Sequence, residues 1–140
     1  PVVSRTFLGR DIFAPVGAHL ARGVPLRELG EPVNDLLRLP VSRPERQADG
    51  TLLAHVRYID HFGNLITDVR DHDLAQMGQV IVYYKEKRIA GLQPSYAAVP
   101  RGELVALIGS SRRLEIAVRD GSAARLLAAQ VGDSLRIQDH

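Results

Sequence analysis

Cysteine is absent from this 140-residue chain. That excludes disulfides, thiolate nucleophiles and thiolate metal sites, and it accords with a cytoplasmic location. Aromatic residues make up only 5%, and Lys85 and Lys87 are the only lysines. The basic charge is therefore almost all arginine, and the arginines are scattered, with Arg112-Arg113 their only adjacent pair. A net charge of +2 with no basic cluster and few stacking rings argues against a nucleic-acid partner. No apolar run approaches the roughly 20 residues of a membrane-spanning helix, so no membrane partner is expected. The first residues, Pro1-Val2-Val3-Ser4-Arg5, lack the charged leader and apolar stretch of a signal peptide. The five histidines (19, 55, 61, 72 and 140) share no ligand spacing, so no metal is expected. P-loop, Gly-x-Gly-x-x-Gly and Gly-x-Ser-x-Gly patterns are also missing.

What remains is a foldable chain. Apolar residues make up 45% and mean hydropathy is −0.07. A chain of this length buries about two-thirds of its unfolded surface, enough for one domain or a small domain plus a piece of another. It begins on Pro1 rather than methionine, which fits a processed chain or a fragment.

Three segments follow from the patterning. Residues 1–30 read as a strand-turn-helix, the C-terminal edge of an α/β domain. Val2-Val3 and Thr6-Phe7 are extended, Gly9-Arg10-Asp11 is a turn, and Phe13 to Ala21 is a helix. Pro15 fits only a first helical turn, and Gly23 suits the C-cap. Residues 31–50, with Pro32, Pro40, Pro44 and Gly50, read as a linker. Residues 51–140 read as a small β-barrel or sandwich. Its candidate strands are 52–59, 65–69, 79–84, 87–90, 104–108, 113–118 and 134–138. Short helices are expected at 71–77 and 122–129, the second starting on a Ser cap and turning Leu126 and Leu127 to the core. The predicted class is mostly β.

Several loops carry groups suited to a ligand. Asp60-His61-Phe62-Gly63-Asn64 sets a carboxylate, a ring and a carboxamide between two strands, with Gly63 free to take positive φ and to let a ligand come close. The same residues also make an ordinary turn. Gly109-Ser110-Ser111 offers hydroxyls and N–H groups to an anion, or closes a hairpin. Tyr96, in the proline-bounded loop Gln93 to Gly102, is a stacking platform or a plug for the barrel end. Glu115 alternates with Leu114 and Ile116, so it lies on the opposite face, free to meet an amine or a nearby arginine. Gly9 lets the backbone close on a ligand or on a neighbouring segment.

Three motifs occur in one order and spacing: Thr6-Phe7-Leu8-Gly9-Arg10-Asp11-Ile12-Phe13-Ala14-Pro15, Ile59-Asp60-His61-Phe62-Gly63-Asn64-Leu65-Ile66-Thr67, and Gly109-Ser110-Ser111 with Leu114-Glu115-Ile116-Ala117-Val118. In this the chain resembles the S-adenosyl-L-methionine (SAM) hydroxide adenosyltransferases, relatives of the SAM-dependent chlorinase and fluorinase. The resemblance implies an N-terminal α/β domain, of which this chain holds the end, and a C-terminal β-barrel. It implies a homotrimer with the site between subunits. It implies attack of water, hydroxide or halide at C5′ of the ribose, with release of L-methionine. SAM is then the substrate and no cofactor is needed.

Residue by residue, the resemblance puts adenine between Phe62 and Tyr96, its edge on Asn64 and on the backbone around Val118. It puts the methionine ammonium on Asp60, with Glu115 as a second partner. The methionine carboxylate falls to Ser110, with Ser111 where the halogenase relatives carry arginine, and Arg112 as an alternative cation. Gly9 matches the nucleophile pocket. Leu8 stands where the hydroxide-transferring members usually carry histidine, which acts with an upstream Asp and Arg. A non-catalytic adenosine-binding barrel, or a halide-using relative, is the alternative function.

Overall fold

A computed structural model describes residues 3–38 and 41–140. The chain falls into two units, Pro1–Leu39 and Pro40–His140.

In the N-terminal unit a helix, α1, spans Ala14–Ala21. It is preceded by a wide π turn, Gly9–Phe13, where a tight turn was expected. Pro15 explains the widening: it has no N–H to give, and Ala14 N–H reaches back five residues to Gly9 O. Val24 N–H and Gly23 N–H close the helix on His19 O and Leu20 O, with Gly23 at φ +85°. The expected strand does not form among the described residues; Val2 lies outside them. Ser4 Oγ instead accepts from the N–H groups of Thr6 and Phe7, and Ser4 N–H donates to Asp11 Oδ2 at 2.8 Å. A strand needs a pairing edge, and this unit offers none. None of its described residues is buried. Phe7, Leu8, Ile12, Phe13 and Leu20 are all exposed.

The second unit is an antiparallel, nearly closed barrel. Its strands are β1 (Glu45–Arg46), β2 (Leu52–Ile59), β3 (Leu65–Arg70), β4 (Val80–Tyr84), β5 (Lys87–Ala90), β6 (Leu104–Ile108), β7 (Arg113–Val118) and β8 (Ser134–Asp139). They run in the order β5-β4-β8-β2-β3-β7-β6, with β1 on β2. Past β5, Gln93 N–H donates to Ala106 O and narrows the gap between the sheet's ends. Two expected features shift. Residues 45 and 46, read as linker, pair with Leu53 and Leu52. The 71–77 helix is only a 3₁₀ turn, Asp71–Leu74. Short polar turns favour such tight geometry, and Asp73 caps it by accepting Arg70 N–H.

Alternation builds the core. Leu52, Ala54 and Val56 of β2 point inward with Leu65 and Val69 of β3, Leu114 and Ile116 of β7, and Leu135 and Ile137 of β8. α2 is a single turn, Ala123–Leu126, capped by Ser122 Oγ on Arg125 N–H at 3.2 Å. Of the two leucines expected to reach the core only Leu127, just past the helix, does so; Leu126 is exposed because so short a helix offers the core one side only. A smaller cluster, Val105, Leu107 and Ala117, lies on the outer face of β6 and β7, where Val99 covers it. That contact seats the 95–100 loop. Buried Asp68 ties residue 42 to the barrel: Ser42 Oγ–H donates to its Oδ2 and His55 N–H to its Oδ1.

Because the core belongs wholly to the second unit, a fragment of residues 41–140 should unfold as one cooperative transition. Residues 1–38 alone should show little helical circular dichroism, as an eight-residue helix without a buried face is marginal in water. A non-cooperative melt of the 41–140 fragment would contradict this.

Candidate functional site

The side chains facing away from the core make the site. Register sets Tyr58 beside Ile66, Ile66 beside Glu115, and Glu115 beside Leu107, one row across β2, β3, β7 and β6. Tyr58, Ile66 and Glu115 of this row line a cavity of about 800 Å³. That volume lies in the range of ordinary small-molecule sites.

The turn after β2 forms one wall. Asp60 Oδ1 accepts the N–H groups of Phe62 (2.9 Å) and Asn64 (2.8 Å), and Oδ2 accepts Asn64 Nδ2 at 2.9 Å. Asp60 N–H and Asn64 O close the turn at 3.0 Å. The carboxylate thus freezes the loop and aims the carboxamide. Phe62 stays 74% exposed, its ring meeting the His61 ring edge-on with centroids 5.9 Å apart. Gly63 takes φ +88°, and a Cβ there would fall 2.0 Å from Ser122 Oγ. Its small size serves packing on the α2 cap, where Ala124 N–H donates to Gly63 O, rather than the approach of a ligand.

Tyr96 lines the same cavity. Its hydroxyl donates to Glu115 Oε1 at 2.5 Å. Arg119 Nη1 donates to Ala97 O (3.2 Å) and Val99 O (2.8 Å), holding the loop backbone. The hydrogen bond to Glu115, and then burial, push the Tyr96 phenol up to about 12. Ser110 and Ser111 sit at the rim on the β6–β7 hairpin turn, which Gly109 N–H closes on Arg113 O and Arg112 N–H on Gly109 O. Arg112 is not available for an anion here. Its Nε and Nη2 grip Asp71 Oδ2 at 2.7 and 2.5 Å, and that ion pair holds the Asp71 carboxyl below its usual range.

Asp60, Phe62, Asn64, Tyr96, Ser110, Ser111, Glu115 and Val118 therefore all line one cavity. Leu8 and Gly9 belong to the N-terminal unit, at the start of its helical stretch, both exposed and with nothing within 4 Å of a Cβ built on Gly9. Sequence reasoning missed Tyr58, Ile66, Ala97, Arg119, Asp120 and Gly121. Tyr58 shares the parity of Asp60, so alternation could have found it. The Asp120-Gly121 pair is a turn signal directly after β7. Arg119's grip on two carbonyls had no sequence signal. Among the described residues no cluster of three His, Asp or Glu could hold a metal.

Residues 54–136 match the SAM hydroxide adenosyltransferase C-terminal domain family. The chain thus belongs to the SAM hydroxide adenosyltransferase family. Among curated relatives, a protein of Salinispora tropica named (R)-S-adenosyl-L-methionine hydrolase is 39% identical, over 96% of this chain and 51% of its own length. The protein of the same name from Thermus thermophilus is 37% identical, over 94% and 49%. A Nocardia brasiliensis protein named fluorinase is 32% identical, over 95% and 48%. A crystal structure of an uncharacterized conserved protein from Thermotoga maritima superposes with TM-score 0.70 at 33% identity, over 97% of this chain and 54% of that one. The chain spans about half the length of the curated relatives it matches.

The Tyr96 phenol is raised above its ordinary 10.0, so whatever stability its hydrogen bond contributes is complete below about pH 10 and is lost as pH rises through about 12. The difference in 295 nm absorbance titration between wild type and Tyr96→Phe should have its midpoint near 12. A midpoint near 10 would show that the phenol is not held.

Proposed function

We propose that this chain is the C-terminal half of a SAM-cleaving enzyme and supplies the clamp for adenosine and methionine. Residues 1–30 end its N-terminal α/β domain and residues 51–140 form its barrel. The observation that carries the reading is that Phe62 and Tyr96 line one cavity of about 800 Å³ together with the polar side chains of Asp60, Asn64, Ser110 and Glu115.

Each part suits one part of SAM. Two aromatic rings lining one cavity suit a flat purine, since aromatic faces favour offset stacking. The Asn64 amide, pinned by Asp60, offers its oxygen to an exocyclic amine, and the backbone at Val118 offers a second polar edge. Asp60 spends its hydrogen bonds on uncharged donors and keeps its negative charge for the ammonium. Ser110 and Ser111, with the free backbone of their turn, take the carboxylate without an arginine. A sulfonium is a good leaving group. As the new O–C5′ bond forms, the C5′–S bond breaks and its pair moves to sulfur. SAM and water give adenosine, L-methionine and a proton. The relatives' names point to the (R) sulfonium epimer as substrate.

The nucleophile side belongs to the N-terminal unit and the half beyond it. Gly9 leaves room for a small nucleophile, and Leu8 can neither orient nor deprotonate water. Water activation then falls to residues outside this chain. The reading includes a cytoplasmic homotrimer with each site completed by a neighbouring subunit. The exposed apolar residues of the N-terminal unit and the 74% exposed Phe62 support such cover.

The full-length protein incubated with (R)-SAM in halide-free buffer should release adenosine and L-methionine in equal amounts. Formation of 5′-halogenated adenosine only when halide is added would replace hydrolysis with halide transfer. Absence of both turnover and adenosine binding would sink the proposal. Phe62→Ala should weaken adenosine binding about tenfold or more, the scale of one lost base–ring stack, and Asn64→Ala should weaken it too. Unchanged affinity in both would make the turn purely structural. Leu8→His should raise water-dependent turnover if this is the position of the family's histidine; no rise would place water activation elsewhere.

A further inference from the structure

Glu115 is the most enclosed charge of the cavity, 7% exposed. Its strand neighbours, Ile66 and Leu107, are buried hydrocarbon. Oε2 lies against Gly109, where a Cβ would come within 2.4 Å of it. Oε1 accepts the Tyr96 hydroxyl at 2.5 Å. Among the described residues this phenol is the only hydrogen-bond donor to the carboxylate. A carboxylate taken out of water needs such a donor, and one given a single donor holds it tightly.

The Tyr96 loop is fixed at three places. Val99 packs on the outer cluster, Arg119 holds the carbonyls of Ala97 and Val99, and Glu115 holds the ring itself. The first two fix the backbone only. A half-exposed ring on a fixed backbone still has several rotamers, and ordering it on binding costs affinity.

On the adenosine reading above, we infer that Glu115 is a positioning residue: it acts through Tyr96, locking the phenol as a preformed wall for the base, and is not the second partner of the methionine ammonium. Asp60 alone then carries the ammonium. Gly109 is part of the same device, since a side chain there would displace the carboxylate.

The test separates acceptor from charge. Glutamine keeps an oxygen for the phenol and removes the negative charge; alanine removes both. Affinities for adenosine, which has no ammonium, and for SAM are measured by calorimetry on the full-length protein carrying Glu115→Gln, Glu115→Ala or Tyr96→Phe, each checked for an unchanged melting temperature. Glu115→Ala and Tyr96→Phe should each weaken adenosine about tenfold, the scale of one charge-assisted hydrogen bond, and SAM by the same factor. Glutamine should restore most of the loss for both ligands. Two results would overturn the inference. In one, Glu115→Ala binds adenosine as wild type does. In the other, Glu115→Gln loses SAM while keeping adenosine, which would make Glu115 an ammonium ligand. Wild type that binds neither adenosine nor SAM would overturn the underlying reading together with the inference, and so is distinct from both.

Discussion

The two-residue alternation of β3 and β7 is the constraint on which the rest depends. Leu65 and Val69, with Leu114 and Ile116, must point into the barrel to make a core. Their neighbours Ile66 and Glu115 are then forced outward, side by side in register. A slip of one residue would send Glu115 into the core and empty the site at once. The cavity floor is therefore a by-product of core formation, and its position is as secure as the barrel itself.

The walls are fixed by a second kind of interaction. Asp60 and Glu115 are both carboxylates, but they are used differently. Asp60 accepts three hydrogen bonds from donors of its own turn, which turns a flexible loop into a rigid rim. Glu115 has a single donor, contributed by another loop, and so couples two segments 19 residues apart. A site made this way is preformed, and less of the binding energy goes into ordering it. The N-terminal unit shows the opposite character. It has a helix, a π turn beside Gly9, and no buried residue among those described.

The strands were the most legible part of the chain. Runs of Val, Ile and Leu bounded by turn residues place β2, β6 and β7 at the observed limits, because a strand's ends are set by local chemistry. Helices were less legible. Residues 122–129 have a cap and leucines, but only Ala123–Leu126 is helical, since the chain must turn back into β8. The missing strand at residues 3–7 is a tertiary matter, as extended residues become a strand only beside another. In the site, residue types were readable and partnerships were not. Asp60 was read both as a turn residue and as a ligand group, and its hydrogen bonds within the turn could not be assigned from sequence. Arg112, the alternative cation for the carboxylate, is paired with Asp71. Gly63 looked like a ligand approach and accommodates Ser122. Each of these depends on a residue distant in sequence or on geometry that composition does not carry.

The central claim is that a purine ring lies between Phe62 and Tyr96. A crystal structure of the protein soaked with adenosine tests it most directly. The account predicts the base stacked between these two rings, with its edge at Asn64. Adenosine bound at another surface, or a base in this cavity stacked on neither ring, would contradict it.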